Sequence, residues 1–140
     1  SMVIKNKTIL IKTGAKSLNV ITSRIKDEVR LSKINEGNCT LFIKHTSASL
    51  IIQENADPSV LKDIDNFFKK LVPENNDLYI HTAEGPDDMP AHIRSLLTNT
   101  SLSIPIIEKE LQLGTWQGIY LYEHRNHNHE RKVIVNILGE

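Results

Sequence analysis

"TWQGIYLYEHRNHNHERKVIVNIL", residues 115–138, sets two apolar runs on either side of a polar, histidine-rich segment, and the way they pair decides the fold. TWQGIYLYEH (115–124) and RKVIVNIL (131–138) have the β-branched and aromatic content of strands, and their spacing predicts a hairpin across RNHNHE. In the first run, the two-residue period of a strand puts Gln117, Ile119, Leu121 and Glu123 on one face. Trp116, Tyr120 and Tyr122 take the other. Gln117 and Glu123 are therefore expected to point into the same space. Trp116 is expected to pack, in the core or at a subunit contact, and Gly114 to serve the tight entry into the strand.

Outward from this segment, VIKNKTILIK (3–12) alternates as a strand does. Val20, Ile21, Ile25, Val29 and Ser32 follow helical spacing over about 19–34, and Gly37-Asn38 ends that element. CTLFIKH (39–45) reads as a strand, and SLIIQE (49–54) continues or follows it after a polar break. Asp57-Pro58 is a helix start, an N-cap acceptor followed by proline at the first helical position. Val60, Leu61, Ile64, Phe67, Phe68 and Leu71 then form one apolar face, closed by Pro73. DLYIH (77–81) reads as a short strand delivering His81, followed by a Gly-Pro loop and a short helix from Pro90 to Leu97. SLSIPII (101–107) is a strand whose proline marks an edge or bulge. Strands mixed with two to three helices, without regular βα alternation, predict an α+β fold in one domain over residues 2–140.

At 140 residues and 39% apolar content, the chain can bury one core. No apolar run approaches the ~20 residues that span a bilayer, and no signal segment opens the chain. Its single cysteine, Cys39, lies in an apolar strand and is expected to be buried, consistent with a reducing, cytoplasmic setting. Zero net charge argues against a nucleic-acid or anionic-membrane partner. The charge is unevenly spread: residues 54–88 hold nine acidic side chains against three basic ones. Such a segment suits a cation site, although a solvated helix face and polar loop account for most of it.

Within that region, HTAEGPDDMPAHIRS (81–95) places His81 and His92 around Glu84, Asp87 and Asp88. Strand end, loop and helix start are where a scaffold presents functional groups. His45 ends another strand, in KHTSASL. Three imidazoles from these places could converge on one ion and leave a position open, the pattern of catalytic zinc. Imidazoles favour Zn, Ni, Cu or Fe, whereas the carboxylates alone could hold Mg. The bland alternative is a turn in which Asp88 helps to cap the following helix. The histidines of RNHNHE, His127 and His129, belong to an exposed turn and are not assigned to the site.

Together, HTSASL, HTAEGPDDMPAHI and LGTWQGIYLYEHR resemble the YjbQ-like family, also labelled secondary thiamine-phosphate synthase. The resemblance implies a β-sandwich flanked by helices, assembled as a homotrimer with a histidine- and carboxylate-rich cleft. It selects His45, His81 and His92 as ligands of a divalent metal, zinc first and magnesium as the alternative. It places Glu84, Asp87, Asp88, Gln117 and Glu123 on the polar wall of the cleft. Asn55, in QENADPSV, and Arg125 and Arg131 become ligand-holding residues, the arginines for an anionic group such as a phosphate. Asp57 falls in the same motif, but its helix cap is role enough.

The family label implies joining a pyrimidine diphosphate to a thiazole phosphate, with loss of pyrophosphate. That reaction needs a divalent ion and cationic groups for the leaving group. The dedicated enzyme is a TIM barrel of ~250 residues, so the activity here would run on a different fold and is expected to be secondary. A metal-dependent hydrolase or lyase, with Glu84, Asp87 or Glu123 as base, is the second reading. A non-catalytic trimer with a structural ion or a small bound ligand is the third.

Overall fold

The computed structural model describes residues 1–140, in eight strands and three helices. Five strands form one antiparallel sheet, in the order β1 (Val3–Thr13), β8 (His129–Gly139), β3 (Gly37–Ile43), β5 (Ser101–Ile107) and β6 (Glu110–Leu111). Three form a second sheet, in the order β2 (Leu18–Val20), β7 (Gln117–Glu123) and β4 (Ala48–Glu54). Between the sheets lies one core. Ile9, Leu41, Ile104 and Val135 enter it from the first sheet, and Leu50, Ile119 and Leu121 from the second. Helix α1 (Thr22–Ser32) adds Ile25 and Val29.

The expected hairpin over residues 115–138 does not form. β7 pairs with β2 and β4, whereas β8 pairs with β1 and β3, so the polar segment between them crosses from one sheet to the other. The reason lies in what each strand must bury. β7 is buried on both faces from Gly118 to Glu123, so it needs a neighbour on each edge and a cover on each side. β8 alternates between buried and open positions, as a strand with one core face does.

Besides the link from β6 to β7 through residues 112–116, the same crossing happens twice more. β1 passes to β2 through residues 14–17, and β3 passes to β4 through residues 44–47, so CTLFIKH and SLIIQE are not one strand. All three arches sit at the same end of the molecule and are laced together through their backbones. Lys16 N–H donates to Arg125 O, Glu123 N–H to Ser17 O and His124 N–H to Ser47 O.

Two other expectations change. Residues 18–20 are a strand rather than the start of α1, which ends at Lys33 in the left-handed conformation, φ 60°. DLYIH forms no strand; residues 77–81 are irregular, with Leu78 86% and Ile80 97% exposed. No strand pairs with this segment, and the outer edge of β4 meets only a single bridge, between Leu50 and Asn99.

Helix α2 (Pro58–Leu71) starts as read, with Asp57 Oδ1 accepting from Ser59 N–H at 2.9 Å. It lies against the outer side of β7, where Phe68 meets the Tyr122 ring edge-on at 6.2 Å. None of its residues is fully buried, and Phe67 remains 62% exposed. Helix α3 (Asp88–Leu97) packs beside β4 and stands over the arches.

Candidate metal centre

An arch through a sandwich end carries backbone and side-chain polar groups into a dry region, and they must find partners. Glu123, at the end of β7, supplies most of them. Fully buried, its carboxylate accepts from Thr13 Oγ1 at 2.7 Å, from Arg125 N–H at 3.1 Å, and from Arg131 Nε and Nη2 at 2.7 Å each. Arg131 Nη2 also reaches Ser47 Oγ at 3.3 Å, so all three arches meet at one ion pair. Burial pushes the Glu123 carboxyl up, but the hydrogen bonds from Arg131 and Thr13 outweigh it and hold the pKa low.

Arg125 then ties the arches to the start of α3. Its Nε donates to Asp87 Oδ2 at 2.8 Å, its Nη1 lies 2.8 Å from Asp88 Oδ1, and its Nη2 donates to Glu84 O at 3.0 Å. Asn126 N–H adds a bond to Asp87 Oδ2 at 2.9 Å. Both aspartates are buried, and both are held below the usual carboxylate range. Burial works against this, but Arg125 overcomes it at Asp87, and His81 with Arg125 does so at Asp88.

One oxygen of Asp88 is thus committed to Arg125, and the other faces two imidazoles. His81 Nε2 lies 2.6 Å and His92 Nε2 3.2 Å from Asp88 Oδ2. Asp88 and His92 are one helical turn apart, which puts them on the same face of α3. The three ligand-type atoms lie within 4.8 Å of one another. His92 Nδ1 donates to Thr46 O at 3.0 Å, so neutral His92 presents a lone pair at Nε2 toward a carboxylate oxygen. Two acceptors facing each other require a positive charge between them, either a proton or a cation. His81 is under no such restraint: its Nε2–H can donate to Asp88, and that hydrogen bond raises its pKa. Two imidazoles and a carboxylate therefore fit a divalent transition metal, with positions left open.

The other anticipated residues divide into two groups. Glu84, Asp87, Glu123, Arg125 and Arg131 all belong to the arch end, with Glu84 Oε2 3.4 Å from His81 Nε2. His45 is also there, but outside the three-atom cluster; its Nδ1 accepts from Ser47 N–H at 3.1 Å and contacts Ser47 Oγ at 3.0 Å. Burial and the nearby Arg131 lower its pKa. Gln117 and Asn55 lie at the far end of β7. Gln117 shares a strand face with Glu123, but six residues of extended chain put roughly 20 Å between them. Its Oε1 accepts from Gly114 N–H at 2.6 Å, and Asn55 N–H donates to Trp116 O at 2.9 Å. Trp116 packs in no core here and is 61% exposed. His127 is exposed, whereas His129 opens β8 and brings Nδ1 to 3.9 Å from Glu123 Oε1, closer to the site than a loop position implied.

Sequence reading passed over His124. It is 1% exposed, its ring 4.3 Å from that of Tyr122 and tilted 45° to it, with Nε2 2.8 Å from Ser49 Oγ. Its Nδ1 and Arg94 Nη1 have no hydrogen-bond partner. Burial, reinforced by Arg94, pushes its pKa down to about 3. Its one available signal was a histidine directly after a strand's buried run.

Two grooves flank the triad. One, of about 350 Å³, runs past His45, His92, Ile93 and Leu96; the other, of about 280 Å³, past Tyr79, His81 and Gly85. Met89 lines both. The largest cavity, about 550 Å³, lies at the opposite end between α1 and the β5–β6 turn and contains no histidine.

A family model described as "UPF0047 protein YjbQ-like" matches residues 7–140. A UPF0047 protein of Synechocystis is 56% identical over 132 residues, 94% of this chain and 90% of that one. The YjbQ protein of Escherichia coli O157:H7 is 41% identical, over 96% of this chain and 97% of its own. Among solved structures, an uncharacterized conserved protein of the YjbQ/UPF0047 family from Clostridium acetobutylicum superposes with a TM-score of 0.86 at 38% identity, covering 94% and 98% of the two chains. A YbjQ-like protein of unknown function from Sulfolobus solfataricus gives 0.92 at 26% identity over the full length of both.

Proposed function

The chain belongs to the YjbQ-like UPF0047 family, and from that premise we propose that His81, Asp88 and His92 hold a divalent metal ion, zinc first, for chemistry on a small molecule. The observation that carries this reading is the convergence of three ligand-type atoms, two of which, His92 Nε2 and Asp88 Oδ2, are acceptors that need a positive charge between them. Two imidazoles favour a transition metal over magnesium. Once bound, such an ion supplies a Lewis acid for a ligand oxygen and lowers the pKa of a bound water.

The chain's own residues have distinct tasks. Arg125 fixes Asp88 so that one oxygen stays turned toward the imidazoles. Thr46 holds His92 in the tautomer that leaves Nε2 free. Glu84, exposed beside His81, is placed to take a proton from a group seated on the triad.

Among reactions, the hydrolase or lyase reading is favoured over the thiamine-phosphate-synthase-like transfer. That transfer needs cations for a leaving pyrophosphate, and both Arg125 and Arg131 are already engaged by buried carboxylates. A secondary transferase activity therefore stands behind metal-assisted hydrolysis in this proposal. We take the setting to be cytoplasmic, as the buried, unpaired Cys39 suits a reducing compartment; no helix is long and apolar enough to cross a membrane.

A panel of phosphate esters, amides and lactones, run with zinc-loaded wild type and His81→Ala, tests this directly. At least one substrate should lose 100-fold or more in rate, on the order of a lost metal's contribution. Equal rates across the panel would remove the metal-dependent reaction.

A further inference from the structure

His45 and His92 are anchored by neighbouring peptide groups that treat them oppositely. His92 Nδ1 gives its proton to Thr46 O. His45 Nδ1 instead receives Ser47 N–H, together with Ser47 Oγ, whose oxygen accepts from Arg131. A backbone amide can only donate, so Nδ1 of His45 must carry a lone pair. Neutral imidazole then has its proton on Nε2. Ligation through Nε2 needs the reverse arrangement, which would set a ring N–H against the Ser47 N–H. His45 nonetheless borders the same groove as His92, beside the apolar side chains of Met89, Ile93 and Leu96 and the hydroxyl of Ser95.

We propose that His45 is a fixed, neutral hydrogen-bond donor for an oxygen of the bound ligand, and not a third metal ligand. The ligand class is a small molecule with an apolar portion for the groove wall and an oxyanion or carbonyl oxygen for the Nε2–H. The proposal deepens the metal reading and relies on it only for the neighbouring ion; the tautomer stands without one.

Nitrogen–proton NMR of the imidazoles in metal-free protein reads the tautomers. The expected result is a proton on Nε2 of His45 and on Nδ1 of His92. On zinc addition the His81 and His92 nitrogens should shift while those of His45 stay, and His45→Ala should bind as much zinc as wild type. Inorganic phosphate, titrated into the zinc-loaded protein, should move the His45 Nε2 proton to saturation. Its affinity should fall about tenfold in His45→Ala and recover in His45→Gln, whose amide restores a donor. A proton on His45 Nδ1, zinc lost in His45→Ala, or a His45 signal indifferent to phosphate would each overturn the proposal. A wild type that takes up no zinc contradicts the metal reading alone, and the metal-free tautomer still decides His45.

Discussion

His124 shows how a single side chain ties this fold to pH. Buried between Tyr122 and Ser49, and facing Arg94, Arg131, Glu123 and Asp65, it titrates at about 3 in the folded chain against 6.5 when free. As pH falls below 6.5, the unfolded chain takes up a proton that the folded chain refuses, so the stability contributed above 6.5 drains away toward about 3. The slope cannot exceed about 1.4 kcal/mol per pH unit for one group. His124→Gln should therefore flatten the pH dependence of the melting temperature across that window, relative to wild type. Parallel curves would contradict the buried, neutral assignment. At this scale the sequence was informative where spacing reports geometry. Nearness in the chain grouped His81, Asp88 and His92, but the pattern puts Asp88 in a loop before a helix from Pro90, whereas α3 begins at Asp88 and sets it one turn from His92. His45 was not legible in the same way, because its role depends on which backbone group its ring meets. A sequence names an imidazole without its tautomer.

Among the elements, the arches are what sequence pattern missed and what the site depends on. Both segments of residues 115–138 are strands, as composition suggested, but composition is silent on which strands become neighbours. A hairpin and a sheet-crossing arch can share the same polar connection; only the two-sided burial of β7 separates them. For the same reason, Gln117 and Glu123 were rightly placed on one face yet wrongly brought into one space, since period gives side and not separation. DLYIH looked like a strand because it has strand residues, but no strand pairs with it and it stays irregular. The arches rest on Glu123 and Arg131, both sealed from water. Removing one partner strands a buried charge, so Glu123→Leu should lower the unfolding free energy by about 3–5 kcal/mol in urea titrations. The double variant Glu123→Leu/Arg131→Leu should recover part of that loss. A single variant costing under about 1 kcal/mol would show that the pair does not hold the arches.

For the molecule as a whole, the α+β class and the single core followed from strands mixed with helices, and the family from the motifs around residues 45, 81–93 and 113–125. What stays uncovered is informative. The α2 face read as apolar stripe carries no buried residue, and Phe67, Leu71, Leu78, Ile80 and Leu96 are exposed. Exposed apolar side chains grouped in one patch commonly mark an interface, and the homotrimer that the family resemblance implies would give these a cover. Light scattering of wild type should give three times the chain mass, and Phe67→Glu should shift it toward the monomer. A wild-type monomer would set the trimer aside.

The central claim is that His81, Asp88 and His92 form a cation site assembled over the arches. Elemental analysis of protein purified without a nickel column tests it most directly. Wild type should carry about one zinc or other transition metal per chain, as a three-ligand site would, and His81→Ala and Asp88→Ala should be empty while still folded by circular dichroism. A metal-free wild type that also fails to take up added zinc, or metal retained by both variants, would contradict the account.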